Sequence, residues 1–304
     1  MWIFVIQLQK LLKKIDADLF IATDGMLSLK SNTKSLSIIH DLNFEHHPEN
    51  LPKNVVKYYK KWFPQFAQKA DRIATVSEYS KADIVKTYNV PPAKIDVVYN
   101  GPNINFKPIT EEEKTKIRNK YTNGKPYFLF VGTLHPRKNL VNLFKAFDLF
   151  KTQTPSDIQL LIVGKKMWWT KAIKNAFNSL QHKNAIIFTN RVSNQELYSI
   201  TASAHALTYI PIFEGFGIPL VEAMSCGVPV ITSNVTSMPE VVGKAALLVN
   251  PFDVDDIANA MTQIATNENL RNELSQKSIE QAKKFSWEKT ANLLWESVLK
   301  TINA

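Results

Sequence analysis

The chain has 304 residues, 45% of them hydrophobic, and carries 37 lysines and arginines against 27 acidic residues for a formal charge of +10. This content supports buried cores, and the length suits two domains of roughly 100–200 residues each, which excludes a disordered or fibrous chain. A single cysteine, Cys226, admits no intramolecular disulfide and fits a reducing, cytoplasmic compartment; the positive balance favours an anionic partner, whether nucleic acid, phosphorylated metabolite or acidic membrane surface.

Residues 1–8 (M-W-I-F-V-I-Q-L) are apolar, but Gln7, Gln9 and Lys10 interrupt the run well short of the ~20 residues that span a bilayer. Neither the basic flank nor the cleavage site of a signal peptide is present. The spacing predicts an amphipathic helix over 3–15 and a strand over 19–22, so the chain is expected to begin inside a domain. A strand at 36–39 ends directly in His40-Asp41, where loops of α/β sheets hold chemistry. His40, Asp41, Glu45, His46 and His47 cluster there, but their spacing matches no familiar metal-ligand pattern; one functional histidine beside a surface loop is the preferred reading.

Residues 54–71 have apolar residues at helical spacing, with a break expected at Pro64 and Lys57, Lys60, Lys61 and Lys69 among aromatics. Two readings stand: a packed helix with a solvated basic face, or a helix lying on an anionic membrane or a lipid-linked acceptor. A strand at 72–76, a capped helix at 77–87 and a strand at 95–99 follow, closed by the turn dipeptide Asn100-Gly101. Residues 102–125 are polar and charged and read as a linker with one exposed helix, which puts a domain boundary near Phe106.

A second βα alternation opens with a strand at 127–131, then Gly132-Thr133-Leu134-His135-Pro136-Arg137-Lys138-Asn139 and a helix at 140–151. A glycine after a strand, two adjacent cations and a helix start make an anion site, since Arg137 can fork two bonds onto phosphate oxygens and Lys138 adds a compact charge. Strands at 159–163, 185–188 and 206–209 alternate with helices and predict a parallel sheet covered on both faces. Trp168 and Trp169 read as core or rim packing. Residues 213–231, F-E-G-F-G-I-P-L-V-E-A-M-S-C-G-V-P-V-I, place Glu214 and Glu222 around a glycine turn and a short helix that Pro219 starts. Capping explains one such carboxylate, but two around the same turn favour a ligand.

Strand-G-T-x-x-P-R-K-N, E-G-F-G-x-P-x-x-E-A-M-x-x-G-x-P-V-I, M-P-E-V-V-G and a late F-S-W, with I-H-D-L-x-F, T-V-S-E-Y-S and V-V-Y-N-G before them, resemble the retaining nucleotide-sugar glycosyltransferases of the GT-B type that carry two glutamates eight apart. This is glycosyltransferase family 4, group 1, and the H-D-L-x-F-x-x-x-P form is most similar to its mannosyltransferase-like members. The resemblance implies an α/β fold of two Rossmann-like parallel-sheet domains facing a cleft: an acceptor-side domain over 1–106, shortened, a nucleotide-sugar domain over 107–285, and a helix over 286–304 crossing back to the first. It implies that Arg137 and Lys138 hold the donor diphosphate, that Glu214 and the backbone of Gly215, Phe216 and Gly217 hold the sugar, and that Glu222 accepts from the ribose. Gly132 would give the diphosphate room, and His40 would contact the sugar near the reacting carbon. The donor would be a GDP- or UDP-linked sugar and the acceptor a saccharide or a lipid-linked one, with no metal and no other cofactor.

The family's opening strand and glycine-rich loop have no counterpart here, since Asp24-Gly25 is a lone glycine in another context, and Asn190-Arg191-Val192-Ser193 departs from the family's base-contacting segment. A nucleotide-sugar-binding protein or inactive fragment without transfer is therefore the alternative. A nucleic-acid module is set aside because the lysines are scattered and form no basic stripe.

Overall fold

The computed structural model describes residues 2–303. In chain order the elements are α1 (Trp2–Lys14), β1 (Leu19–Ala22), β2 (Lys34–Ile38), α2 (Asn43–His46), α3 (Lys53–Lys69), β3 (Arg72–Thr75), α4 (Glu78–Tyr88) and β4 (Ile95–Val97). Next come α5 (Glu111–Thr122), β5 (Tyr127–Val131), α6 (Leu140–Gln153), β6 (Gln159–Val163), α7 (Lys171–Asn178), β7 (Ile186–Asn190), α8 (Asn194–Ala202) and β8 (Ala206–Tyr209). The last are α9 (Ile218–Ser225), β9 (Val230–Ser233), α10 (Met238–Val242), β10 (Ala246–Val249), α11 (Val254–Thr266), α12 (Glu268–Ala282) and α13 (Trp287–Ile302). Contacts divide the chain into two compact units, one formed by residues up to 101 together with those from Trp287 on, the other by Pro102–Ser286.

The first unit is a parallel sheet in the order β1-β2-β3-β4. Parallel strands need both faces covered, and alternate side chains go to opposite faces. Ile73 accordingly packs under α3 and α4 with Phe63, Phe66, Ile84 and Tyr88, while its neighbour Ala74 joins Leu36, Val98 and Val298 under α13. Helix α3 runs unbroken through Pro64. The expected break is absent because Phe63, Phe66 and Ala67 anchor the turns on both sides of the proline, and Gln65 Nε2 donates to the Lys61 carbonyl at 2.7 Å, which helps satisfy the backbone beside the gap. Its aromatics face inward, with Tyr59 and Phe63 edge-on to Phe44 at 5.1 and 4.8 Å, so the packed-helix reading accounts for the pattern. No helix among the described residues is long and apolar enough to cross a membrane.

Helix α13 is locked in place by charge as well as by packing. Asp96 on β4 accepts from Arg72 Nε and Nη2, both at 2.8 Å, from Ser297 Oγ at 2.8 Å and from Lys300 Nζ at 3.1 Å. Burial pushes this carboxyl up, but the bonds from Arg72, Ser297 and Lys300 outweigh it and hold the pKa at about 2, against 3.8 for the free side chain.

The second unit is a six-stranded parallel sheet in the order β10-β9-β8-β5-β6-β7. Its central strand β5 buries Tyr127, Phe128, Leu129 and Phe130 completely. Helix α5 is docked rather than free, since Lys120 and Tyr121 both bond Glu196 of α8, at 2.7 and 2.9 Å. Trp169 packs edge-on against Phe177 and Phe188, and Trp168 edge-on against His135. Strand order reverses between β5 and β8, which are neighbours in space; in open α/β sheets the crevice at such a reversal, outside the carboxyl ends of the strands, is the ligand position.

Asp96→Asn is expected to destabilise the chain by about 1 kcal/mol at neutral pH, the effect of its depressed pKa discounted for solvent screening. A depressed acid contributes stability above its unfolded pKa and loses it as pH falls through the folded one. Urea unfolding should therefore show the full deficit above pH 4 and a shrinking one as pH falls towards 2.

Candidate functional site

The sequence-predicted cations and the first glutamate meet at the reversal. Arg137 and Lys138 lie on a 3-10 turn, Pro136–Lys138, that follows β5, and not within α6 itself; His135 Nδ1 accepts from the Arg137 amide at 3.3 Å and fixes the turn. Glu214 follows β8. Arg137 Nη1, Lys138 Nζ and the Tyr209 hydroxyl all donate to one oxygen, Glu214 Oε2, the last at 3.0 Å. Lys138 also bonds the Tyr209 hydroxyl and sits 4.7 Å from its ring centroid. The two loops are stitched by backbone as well, with the Ile212 amide donating to the Arg137 carbonyl at 2.9 Å.

This cluster is shielded from water, the side chains of Lys138 and Glu214 being 8% and 14% exposed. Burial pushes the Glu214 carboxyl up, and Lys138 and Arg137, with the bonds from Lys138 and Tyr209, overcome that and hold it below the ordinary value. Glu214 is thus a firm anion between two cations. The three donors converge on Oε2, and no bond to Oε1 is found among the described residues. Tyr209 was missed in the sequence: as the end of an apolar strand it read as core, and only its position beside Lys138 reveals the hydroxyl's task.

Residues 215–217 continue the loop. The Phe216 ring turns inward, edge-on to Phe285 at 5.5 Å, so its backbone is what it can offer a ligand. Gly217 caps α9 at φ +88, a conformation that strains an L side chain, and a Cβ there would stand 2.9 Å from Met238 Cε. Gly132 leaves β5 at φ +145, where an L side chain is strained although a Cβ would meet only the Phe130 ring at 3.9 Å, and its carbonyl lies where any side chain on Gly164 would strike it at 1.8 Å. Ser237 Oγ donates to the Glu214 carbonyl at 2.9 Å and holds the loop from the far side.

Glu222 lies one turn into α9 and is the counter-case. Its carboxylate meets no donor or cation among the described residues, and burial alone pushes its pKa up to about 7. His40 belongs to the first unit, at the carboxyl end of β2, where its exposed ring donates through Nε2 to the Thr23 carbonyl at 3.2 Å. The rest of its sequence cluster scatters into separate pairs: His46 with Asp83 at 2.8 Å, His47 with Glu49 at 3.2 Å, and Glu45 accepting from Tyr88 at 3.0 Å. No three ligand-type side chains come together as a metal site among the described residues.

Residues 111–284 match the family model described as glycosyl transferases group 1, and residues 1–106 match that described as glycosyltransferase family 4. The chain belongs to the group 1 glycosyltransferase family. It is 33% identical to O-antigen chain mannosyltransferase B of Escherichia coli over 84% of this chain and 67% of that protein. It is 31% identical to O-antigen chain mannosyltransferase RfbU of Salmonella typhimurium, over 74% of this chain and 59% of that one. With serotype-specific mannosyltransferase WbdA of Escherichia coli it shares 25% over 89% of this chain and 34% of that protein, so it spans from about a third to two thirds of these relatives. Among solved structures, Anabaena HepE in complex with UDP and glucose superposes with a TM-score of 0.80 at 18% identity, covering 97% of this chain and 82% of that one. Sucrose-phosphate synthase from Thermosynechococcus elongatus gives 0.80 at 21%, covering 98% and 77%. Both units are therefore the Rossmann-like domains of the GT-B fold.

An acid with a raised pKa withdraws stability as pH climbs from its unfolded value through its folded one. Glu222→Gln should thus stabilise the chain by about 1–2 kcal/mol at pH 8, a figure discounted for partial exposure, and by little below pH 4.5. Thermal unfolding at pH 5 and pH 8 measures the widening gap; a constant difference would show that the carboxylate is not strained by burial.

Proposed function

We propose that the chain moves a hexose, mannose in this reading, from a GDP- or UDP-linked sugar to a saccharide or lipid-linked acceptor with retention of configuration. The observation that carries the proposal is the sorting of charge at the sheet reversal: two cations for a diphosphate held by one carboxylate, Glu214, and a second carboxylate in the following helix, Glu222, with no donor or cation among the described residues. Arg137 and Lys138 would bind the diphosphate and stabilise the charge that builds on it as it departs. They reach this state preorganised, because Glu214 already fixes both. Glu214 Oε1, with backbone N–H groups of residues 215–217, would take the sugar hydroxyls. Glu222 would accept from the ribose diol, hydroxyl donors that repay the cost of burying its charge.

In the reaction the anomeric C–O bond to the diphosphate breaks and the acceptor oxygen bonds to the same carbon from the face the diphosphate leaves. The hydroxyl proton passes to the departing phosphate oxygen. The transition state is oxocarbenium-like, no protein nucleophile takes part, and His40 is assigned to the donor sugar beside the reacting carbon. Arg137 and Lys138 would supply positive charge where the departing diphosphate builds negative charge. The names of the relatives, mannosyltransferases of O-antigen chains, support the sugar and a polysaccharide acceptor. A site on the cytoplasmic side, with basic residues near an anionic membrane, fits such an acceptor.

Two measurements test the reading. Incubation with GDP-mannose or UDP-glucose and an oligosaccharide acceptor, followed by NMR of the product, should give a glycoside of the donor's own anomeric configuration; inversion would remove the proposed geometry, and donor binding without product would leave a binding protein. In calorimetry, replacing Arg137 and Lys138 together by alanine should erase the preference for the nucleoside diphosphate over the bare nucleoside, a loss of at least a hundredfold if the two charge-assisted contacts contribute about 1.5–3 kcal/mol each.

A further inference from the structure

In the F-S-W segment Phe285 packs against Phe216, and the tryptophan opens α13 in the first unit. Trp287 is 54% exposed and lines a cavity of about 230 Å³ at the carboxyl ends of β1 to β4. The floor is aliphatic, built by Ile38, Val98 and Leu294, and the polar side chains at its wall include His40 and Asn100. His40 spends Nε2 on the Thr23 carbonyl, which leaves the ring's Nδ1 as an acceptor in that tautomer. An apolar pocket with a few convergent polar groups, at the strand edge where α/β sheets bind ligands, has the form of a small-molecule site.

We infer that this cavity is a subsite for the terminal pyranose of the acceptor, a ring that carries a methyl group as an N-acetyl or a 6-deoxy substituent. The inference rests on the transferase reading above and adds the acceptor's chemistry to it. A fully hydroxylated ring would leave its polar groups unpaired on the aliphatic floor, whereas a methyl group buries there at a gain. The C–H face of the ring fits the exposed indole of Trp287, and the Asn100 amide and His40 Nδ1 bond its hydroxyls. The volume lies just below the roughly 300 Å³ at which drug-sized ligand pockets begin, so it takes one ring and not an oligosaccharide.

The test uses the full chain without donor, titrated with the methyl glycosides of N-acetylglucosamine, rhamnose and glucose and followed by calorimetry. At least one methyl-bearing glycoside should bind about fivefold or more tighter than methyl glucoside, as expected for one buried methyl group; which of the two wins identifies the substituent. Trp287→Ala, a change at an exposed position, should weaken that binding about tenfold and leave nucleoside diphosphate affinity unaltered, and Asn100→Ala should weaken it without touching the preference for the methyl group. Equal binding of all three glycosides, or unchanged binding in Trp287→Ala, overturns the subsite. Transfer from a nucleotide sugar that proceeds normally in Trp287→Ala, with the same acceptor KM, would overturn it too while leaving the transferase reading intact.

Discussion

Three donors on one carboxylate oxygen hold the second unit's site together. Arg137 and Lys138 arrive from the loop after β5 and Glu214 from the loop after β8, and the charge between them adds to the Ile212–Arg137 backbone bond in holding these loops together. Tyr209 adds a neutral donor and a ring face, so Lys138 is held on two sides in surroundings that exclude most water. Low local dielectric makes each of these contacts strong, and makes the loss of any one partner expensive for the others. The cluster is therefore structural and chemical at once: it clamps the sheet reversal, and it keeps two cations in position before any ligand arrives.

Its counterpart in α9 follows the opposite rule. Glu214 is surrounded by positive charge and held ionised, whereas Glu222, eight residues later, is left in partial burial with nothing to offset it. A folded chain gains nothing by keeping a carboxylate in that state. Residues whose surroundings push their ionisation apart within one loop and one helix are the mark of a site shaped for a ligand and not for stability alone. The glycines between them serve the same end, since Gly217 allows the chain to turn sharply enough that α9 begins directly after the loop.

Much of this was legible in the sequence. Buried parallel strands are written as apolar runs, so β5, β6 and β8 have the bounds that hydrophobicity alone predicts. Arg137, Lys138 and Glu214 were visible because they follow strand ends, where open α/β sheets bind ligands, and Glu222 because it is a second carboxylate around the same glycine turn. What lay beyond reach were relations between residues distant in the chain. Nothing in the order of residues 206–209 marks Tyr209 as a partner of Lys138, and nothing in the histidine cluster shows that His46 turns to Asp83 while His40 turns to Thr23. Pro64 misled for a related reason: a proline's local cost was outweighed by tertiary anchoring of the helix on either side.

The first unit is assembled from two segments that flank the second unit in sequence. Ser297 bonds Asp96 across 201 residues, and Val298 completes the cluster of Leu36, Ala74 and Val98. During synthesis, then, the second unit can fold as its residues emerge in sequence, while the sheet made earlier waits with one apolar face uncovered until α13 leaves the ribosome. The order of completion is the reverse of the order of translation. A chain stalled before residue 287 would carry a finished second unit beside a half-covered sheet, a ready substrate for chaperones and proteases.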